Sequence, residues 1–142
     1  MDLKLELVLI PVSDVDRAKA FYTEKLGFVL DVDTTPMEGF RVVQMTPPGS
    51  TCSITIGTGI TDAEPGSYRG THLVVTDIAA ARAELVERGV DVSDIRHFDS
   101  AKGEWQPGPD PNHARYNSFA DFGDPDGNTW VLQEVPAGDA GP

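Results

Sequence analysis

Cysteine is almost missing from this chain of 142 residues: Cys52 stands alone, so no internal disulfide can form. A reducing compartment is therefore the simpler expectation, and Cys52, with no His or Lys beside it, reads as a buried bystander. Basic residues are also scarce, 11 Lys and Arg against 23 Asp and Glu, which leaves a net charge of −12. A surface of that sign repels nucleic-acid phosphates, so no nucleic-acid partner is expected. The same charge would favour a cationic small molecule wherever a cleft concentrates the field. Long apolar runs are missing too. Nothing approaches the ~20 consecutive apolar residues that span a bilayer. The N-terminus alternates Leu3, Leu5 and Leu7 with Lys4 and Glu6, a strand pattern and not a signal peptide. No membrane partner and a cytoplasmic location are expected.

What the chain does contain is organised around residues 12–28, VSDVDRAKAFYTEKLGF. Asp14 offers a capping carboxylate, and Val15, Ala18, Tyr22 and Leu26 recur at helical spacing. Gly27 supplies the left-handed stop. A strand over 3–12, a helix over 14–26 and a strand over 28–33 follow, then strands over 40–46 and 51–57 joined by a turn at 47–50. Residues 58–69, rich in Gly, Thr, Asp and Pro, read as a linker. The pattern then returns in THLVVTDIAAARAELVERGVDV, with Asp77 as cap, Ile78, Ala81 and Leu85 on one helix face, and Gly89 as stop. Val12-Ser13-Asp14 matches Val75-Thr76-Asp77, and the two glycine stops fall within one residue of register. The reading is α+β: one domain over 1–135 made of two βαβββ modules, 3–57 and 70–135, that form a cup-shaped mixed sheet. Residues 97–118 read as a long loop covering a site, of the kind that forms lids or binding loops, and 136–142 as a disordered tail. After the loop, FADFGDPDGNTWVLQEV reads as a hairpin turning at residues 124–127.

The helix segment, its repeat at residues 75–77 and DPDGNTWVLQE near the end together resemble the vicinal oxygen chelate superfamily, which includes glyoxalase I, the bleomycin-resistance proteins and the extradiol dioxygenases. The resemblance implies a cup, usually in a homodimer. It also implies a divalent metal held by one His or Glu from each of four strands. The corresponding positions here are Leu7, Thr55, Gly70 and Val131, none of which ligates in the expected way. No cofactor is therefore expected.

Strand alternation places His72 in the cup, two residues from a ligand position, and puts Glu134 on the opposite face. His72 is the one candidate catalytic group, read first as a hydrogen-bonding pocket residue. His97 and His113 fall in the loop and read as exposed and uninvolved. Phe40, Trp105, Tyr116 and Phe119 supply aromatic walls, and Asn117, Thr55 and Gln133 polar contacts, for a small-molecule pocket. Asp99, Glu104 and Asp110 make the loop acidic. The resulting expectation is a glyoxalase- or bleomycin-resistance-like protein that binds a cationic or aromatic small molecule without the usual metal. The alternative is an enzyme of lyase, isomerase or dioxygenase type, using His72 as acid or base or a displaced metal.

Overall fold

The structure, a computed structural model, describes residues 1–138. Two compact units divide the described chain, one holding residues 1–68 and 124–128, the other residues 69–123 and 129–138.

In the first unit, β1 (Leu7–Leu9), α1 (Val15–Ala20), β2 (Val29–Met37), β3 (Phe40–Thr46) and β4 (Ser53–Thr58) follow in order. They make a sheet of order β1-β4-β3-β2 in which β1 and β4 run parallel and the other pairs antiparallel. The Asp14 side chain accepts a hydrogen bond from Arg17 N and caps α1, as the sequence predicts. The helix then changes pitch. Phe21–Lys25 form a π-helical turn, closed by Leu26 N donating to Phe21 O. A π turn absorbs one extra residue into a helix. That extra residue is why the two glycine stops lie one residue out of register in the repeat. Gly27, at φ 75°, ends the helix.

Ala18 of α1 and Tyr22 just after it are buried, and α1 packs on β4; Ile54 and Ile56 of β4 and Val43 and Met45 of β3, buried too, form the apolar face of the sheet. Tyr22 stacks on Phe28 at 5.7 Å and donates its hydroxyl to Asp124 Oδ2 at 2.7 Å. Asp124 also accepts from Asp126 N, Asn128 N and Asn128 Nδ2, so the turn at 124–128 belongs to this unit's core. Arg41 hydrogen-bonds Asp33 and Asp16, and Lys19 bonds Asp33, tying β2 and β3 to the helix. Mainly the Arg41 hydrogen bond, then that of Lys19, holds the Asp33 carboxyl well below the usual carboxylate range. Cys52 is half-buried beside the turn, not enclosed as expected.

The second unit repeats the plan. It has β5 (Thr71–Val75), α2 (Ile78–Glu87), β6 (Arg96–Asp99), β7 (Glu104–Pro107), β8 (Phe119–Gly123) and β9 (Thr129–Glu134). The sheet order is β5-β9-β8-β6-β7, with β5 and β9 parallel and the other pairs antiparallel. Asp77 caps α2 through Ala80 N, and Gly89 stops it at φ 87°.

One expectation is corrected here. Residues 97–118 are not a structureless loop, because β6 and β7 form a hairpin within them. Asp99 Oδ1 accepts from Ala101 N and Lys102 N, and Gly103 at φ 67° completes the turn. The strands RHFD and EWQP are short and carry no apolar alternation, so only the Asp and Gly marked the turn. The expected tail begins at 136; of it, residues 139–142 lie outside the described residues.

Candidate functional site

Register assigns each side chain of the second sheet to a face. His72 lies beside Val131, Asp121 opposite Val131, Phe119 opposite Gln133, and Arg96 opposite Phe119. Phe98 lies opposite Trp105 in the terminal hairpin. Alternation along each strand puts all of these on one face. The other face carries Trp130, Leu132, Ala120 and Phe122, all buried, with α2 packed on β8 and β9. The first face is open: Trp105 is 53% and Phe98 37% exposed, and His72 is exposed.

Three aromatic rings and one cation dominate it. Trp105 meets Phe98 edge-on at 5.4 Å and Phe119 at 5.5 Å. The Arg96 guanidinium sits 5.4 Å from the Trp105 ring centre and 5.7 Å from that of Phe119. Its Nη1 and Nη2 donate to Asp121 Oδ2 at 2.7 Å and Oδ1 at 3.3 Å. This half-exposed ion pair adds little stability by itself. What it does is orient: the carboxylate fixes the guanidinium plane against the rings. An aromatic wall with a few fixed polar groups is the arrangement that small-molecule sites use. Arg96, Phe98 and Asp121 are absent from the sequence-based site because the short β6 carries no apolar alternation; within it Arg96 and Phe98 point to the same face.

Four of the predicted residues thus share this face: His72, Trp105, Phe119 and Gln133. His72 Nδ1 lies 2.6 Å from Gly70 O, a pure acceptor, so Nδ1 carries the proton and Nε2 is the acceptor in the neutral ring. Gln133 Nε2 donates to Tyr116 O.

Asn117 and Tyr116 are placed differently from expectation. The strand begins at Phe119, and Asn117 spends its amide on Phe98 N, Phe98 O and Asp110 Oδ2 as a splice between β6 and the loop. Tyr116 sits at φ 64°, with the Arg115 guanidinium 5.3 Å from its ring centre.

Phe40 and Thr55 lie in the first unit, on the face of its sheet opposite α1. There Ser53 bonds Gln44 and Thr46, while the buried Thr55 Oγ1 has no partner among the described residues.

The four strand positions where the family resemblance places metal ligands offer no donor set. Leu7 and Val131 have hydrocarbon side chains, and Gly70 has none; its N–H donates to Thr129. Thr55 contributes a single hydroxyl. Among the described residues no group of three or more His, Cys, Asp or Glu side chains is placed to hold a metal ion. These residues do not fit a divalent metal.

The sequence reads the other two histidines as exposed and uninvolved; His97 is not exposed, and His113 is exposed but hydrogen-bonded. His97 faces the covered side of β6 and is only 7% exposed, with Nδ1 2.8 Å from Gly108 O. His113, at φ 49°, keeps much of its ring in solvent but places Nδ1 2.9 Å from Glu134 Oε1. Glu134 is indeed on the covered face, 2% exposed, and its Oε2 accepts from Ile78 N in the first turn of α2. The Glu134 hydrogen bond, then its charge, raises the His113 pKa above the ordinary imidazole range.

A raised histidine pKa stabilises the fold fully below the unfolded value of about 6.5, and that stabilisation is lost as pH rises through the folded pKa. The stability advantage of the wild type over His113→Gln is therefore expected to be largest near pH 6 and to shrink by about pH 9. Thermal melts of both proteins across that range measure it, and a pH-independent gap would contradict the assignment.

Comparison with known proteins agrees with the architecture. The model of the Glyoxalase/Bleomycin resistance protein/Dioxygenase superfamily matches residues 4–132. Among solved structures, TnmS3, an antibiotic binding protein from Streptomyces sp. CB03234, is 34% identical with a TM-score of 0.72, over 94% of this chain and 96% of that one. A glyoxalase/bleomycin resistance protein from the same organism is also 34% identical, with a TM-score of 0.70, over 92% of this chain and 100% of that one. A superfamily member from Sphaerobacter thermophilus DSM 20745 is 29% identical with a TM-score of 0.72, over 94% and 98%. No curated protein sequence matches the chain. No described helix is long and apolar enough to cross a membrane.

Proposed function

The chain belongs to the Glyoxalase/Bleomycin resistance protein/Dioxygenase superfamily, and from that premise we propose that it binds a flat aromatic small molecule stoichiometrically and without a metal. The observation that carries this reading is the exposed Phe98–Trp105–Phe119 cluster with Arg96 held against two of its rings. A planar ligand covering Trp105 removes apolar area from water and gains ring–ring contact. Arg96, Asp121, His72 and the carboxamide of Gln133 give its polar edge both donors and acceptors. The donor-poor positions Leu7, Thr55, Gly70 and Val131 favour binding over metal-assisted turnover. The antibiotic-binding description of TnmS3, a relative over nearly the whole chain, points the same way.

The binding protein is a cytoplasmic homodimer in this reading. β2 is an edge strand of nine residues, all exposed, and it carries Val29, Leu30, Val32 and Met37. A long edge of that kind is ordinarily covered, here by a second copy. Sedimentation velocity is expected to give a dimer at micromolar protein. A strict monomer would remove this part of the reading.

The test of function is calorimetry against cationic antibiotics and aromatic natural products, with product analysis of each mixture. Saturation near one equivalent per chain with no product at any time is the expected result. Sustained product formation that His72→Ala abolishes would replace binding by acid–base catalysis, since His72 Nε2 is left as an acceptor.

A further inference from the structure

A cavity of about 350 Å³ lies in the same unit, between the turn at 99–101 and the loop at 110–117. It adjoins the open aromatic face at Phe98, but His97, its inner wall, alternates to the opposite side of β6 from Arg96. Its ionisable lining is His97, Asp99 and Asp110; no Lys or Arg lines it. Two of these groups are deeply buried, His97 at 7% and Asp110 at 8% exposure.

The hydrogen-bond inventory leaves the cavity with acceptors. Gly108 O can only accept, so His97 Nδ1 donates to it, and in the neutral ring Nε2 carries a lone pair. That Nε2 has no hydrogen-bond partner among the described residues, although the ring is nine-tenths buried. Asp110 accepts from Asn112 N, Asn117 Nδ2 and the Ala114 backbone, and the Asn117 hydrogen bond chiefly holds its carboxyl below the usual range. Asp99 Oδ1 takes two backbone N–H groups, leaving Oδ2. Asn117 has no donor to spare, since both hydrogens of its amide are engaged by Phe98 O and Asp110. Phe98, Ala101, Pro111 and Ala114 complete the wall with apolar surface.

The Ser100 hydroxyl and the Asn112 carboxamide in its lining can donate, but against two carboxylates the cavity has no Lys or Arg, so what it lacks is a fixed positive charge. We infer that it is a binding site for a protonated primary amine with a short apolar arm, its ammonium donating to Asp110 and His97 Nε2. An ammonium brings that charge with three donors, which suits the carboxylate and imidazole acceptors. Water alone could satisfy the acceptors but not the charge.

The test is NMR titration of the intact protein with n-butylammonium chloride, with butan-1-ol as the neutral control. The expected result is saturable shifts at the His97 ring and the Ala101 and Ala114 amides, absent with butan-1-ol. Asp110→Asn should weaken binding about tenfold or more, as loss of a charge-assisted contact does. Ala114→Leu, a change at an exposed residue that fills the cavity, should abolish the shifts while amide dispersion elsewhere is unchanged. Linear, non-saturating shifts, equal shifts with butan-1-ol, or undiminished binding by Ala114→Leu would each overturn the assignment.

Discussion

Replacing Trp105 by alanine is expected to weaken binding of a planar aromatic ligand about 30-fold, the equivalent of about 2 kcal/mol for a central aromatic anchor. Trp105 touches Phe98 and Phe119 and carries the Arg96 guanidinium against its ring, so its removal takes away the central stacking surface and one of the two rings beside the cation. Stability should hardly change, because the side chain is half exposed. Arg96→Lys separates the two roles. It keeps the charge but loses the planar fork that meets both Asp121 oxygens. An intermediate loss of affinity is expected, with the rings still present. Calorimetric titration of the two variants with one ligand measures both effects. A Trp105→Ala protein that binds as tightly as the wild type would move the site off this face.

The largest effect on stability is expected at Asp124. Its carboxylate is 7% exposed and receives Tyr22 Oη, Asp126 N, Asn128 N and Asn128 Nδ2. Asp124→Ala orphans those donors inside the first unit and leaves a void beside Tyr22. A cost of about 3–5 kcal/mol follows from several unsatisfied buried groups together. Asn128→Ala acts on the same lock, since Asn128 Nδ2 also donates to Pro11 O and its Oδ1 accepts from Tyr68 N. The two changes should therefore be far from additive. Urea denaturation of each single variant and the double variant checks this, with the exposed Asp62→Ala as control. A loss below about 1 kcal/mol at Asp124 would contradict the role assigned to the turn.

Much of this architecture was legible because its signals are local and repeated. Asp14 and Asp77 cap helices, Gly27 and Gly89 stop them, and a β-rich run flanks each, so periodicity alone pairs the two modules. The one-residue slip between the stops was visible as a number but not as a cause. A π turn at Phe21–Lys25 depends on which carbonyl Leu26 chooses, and tertiary packing decides that. Trp105 and Phe119 were found as aromatics near a site, and His72 and Gln133 by alternation. Arg96 and Asp121 were not, since their meeting depends on pairing across strands 25 residues apart.

The histidines show the same limit. His97 and His113 looked alike in the sequence, yet β6 buries one, and Glu134 engages the other through a hydrogen bond spanning 21 residues. Buried polar contacts between distant positions leave no mark in local pattern.

The most direct test of metal-independent aromatic binding uses the indole at its centre. The chain has two tryptophans, and Trp130 is fully buried on the other face, so Trp130→Phe leaves Trp105 as the sole indole reporter. That protein, stripped of metal with a chelator, would be titrated with a planar aromatic antibiotic while its fluorescence is followed. Saturable quenching with the same midpoint before and after addition of Zn²⁺ or Mn²⁺ is the predicted result. Quenching that needs the metal, or no quenching by any aromatic ligand that calorimetry shows to bind, would contradict it.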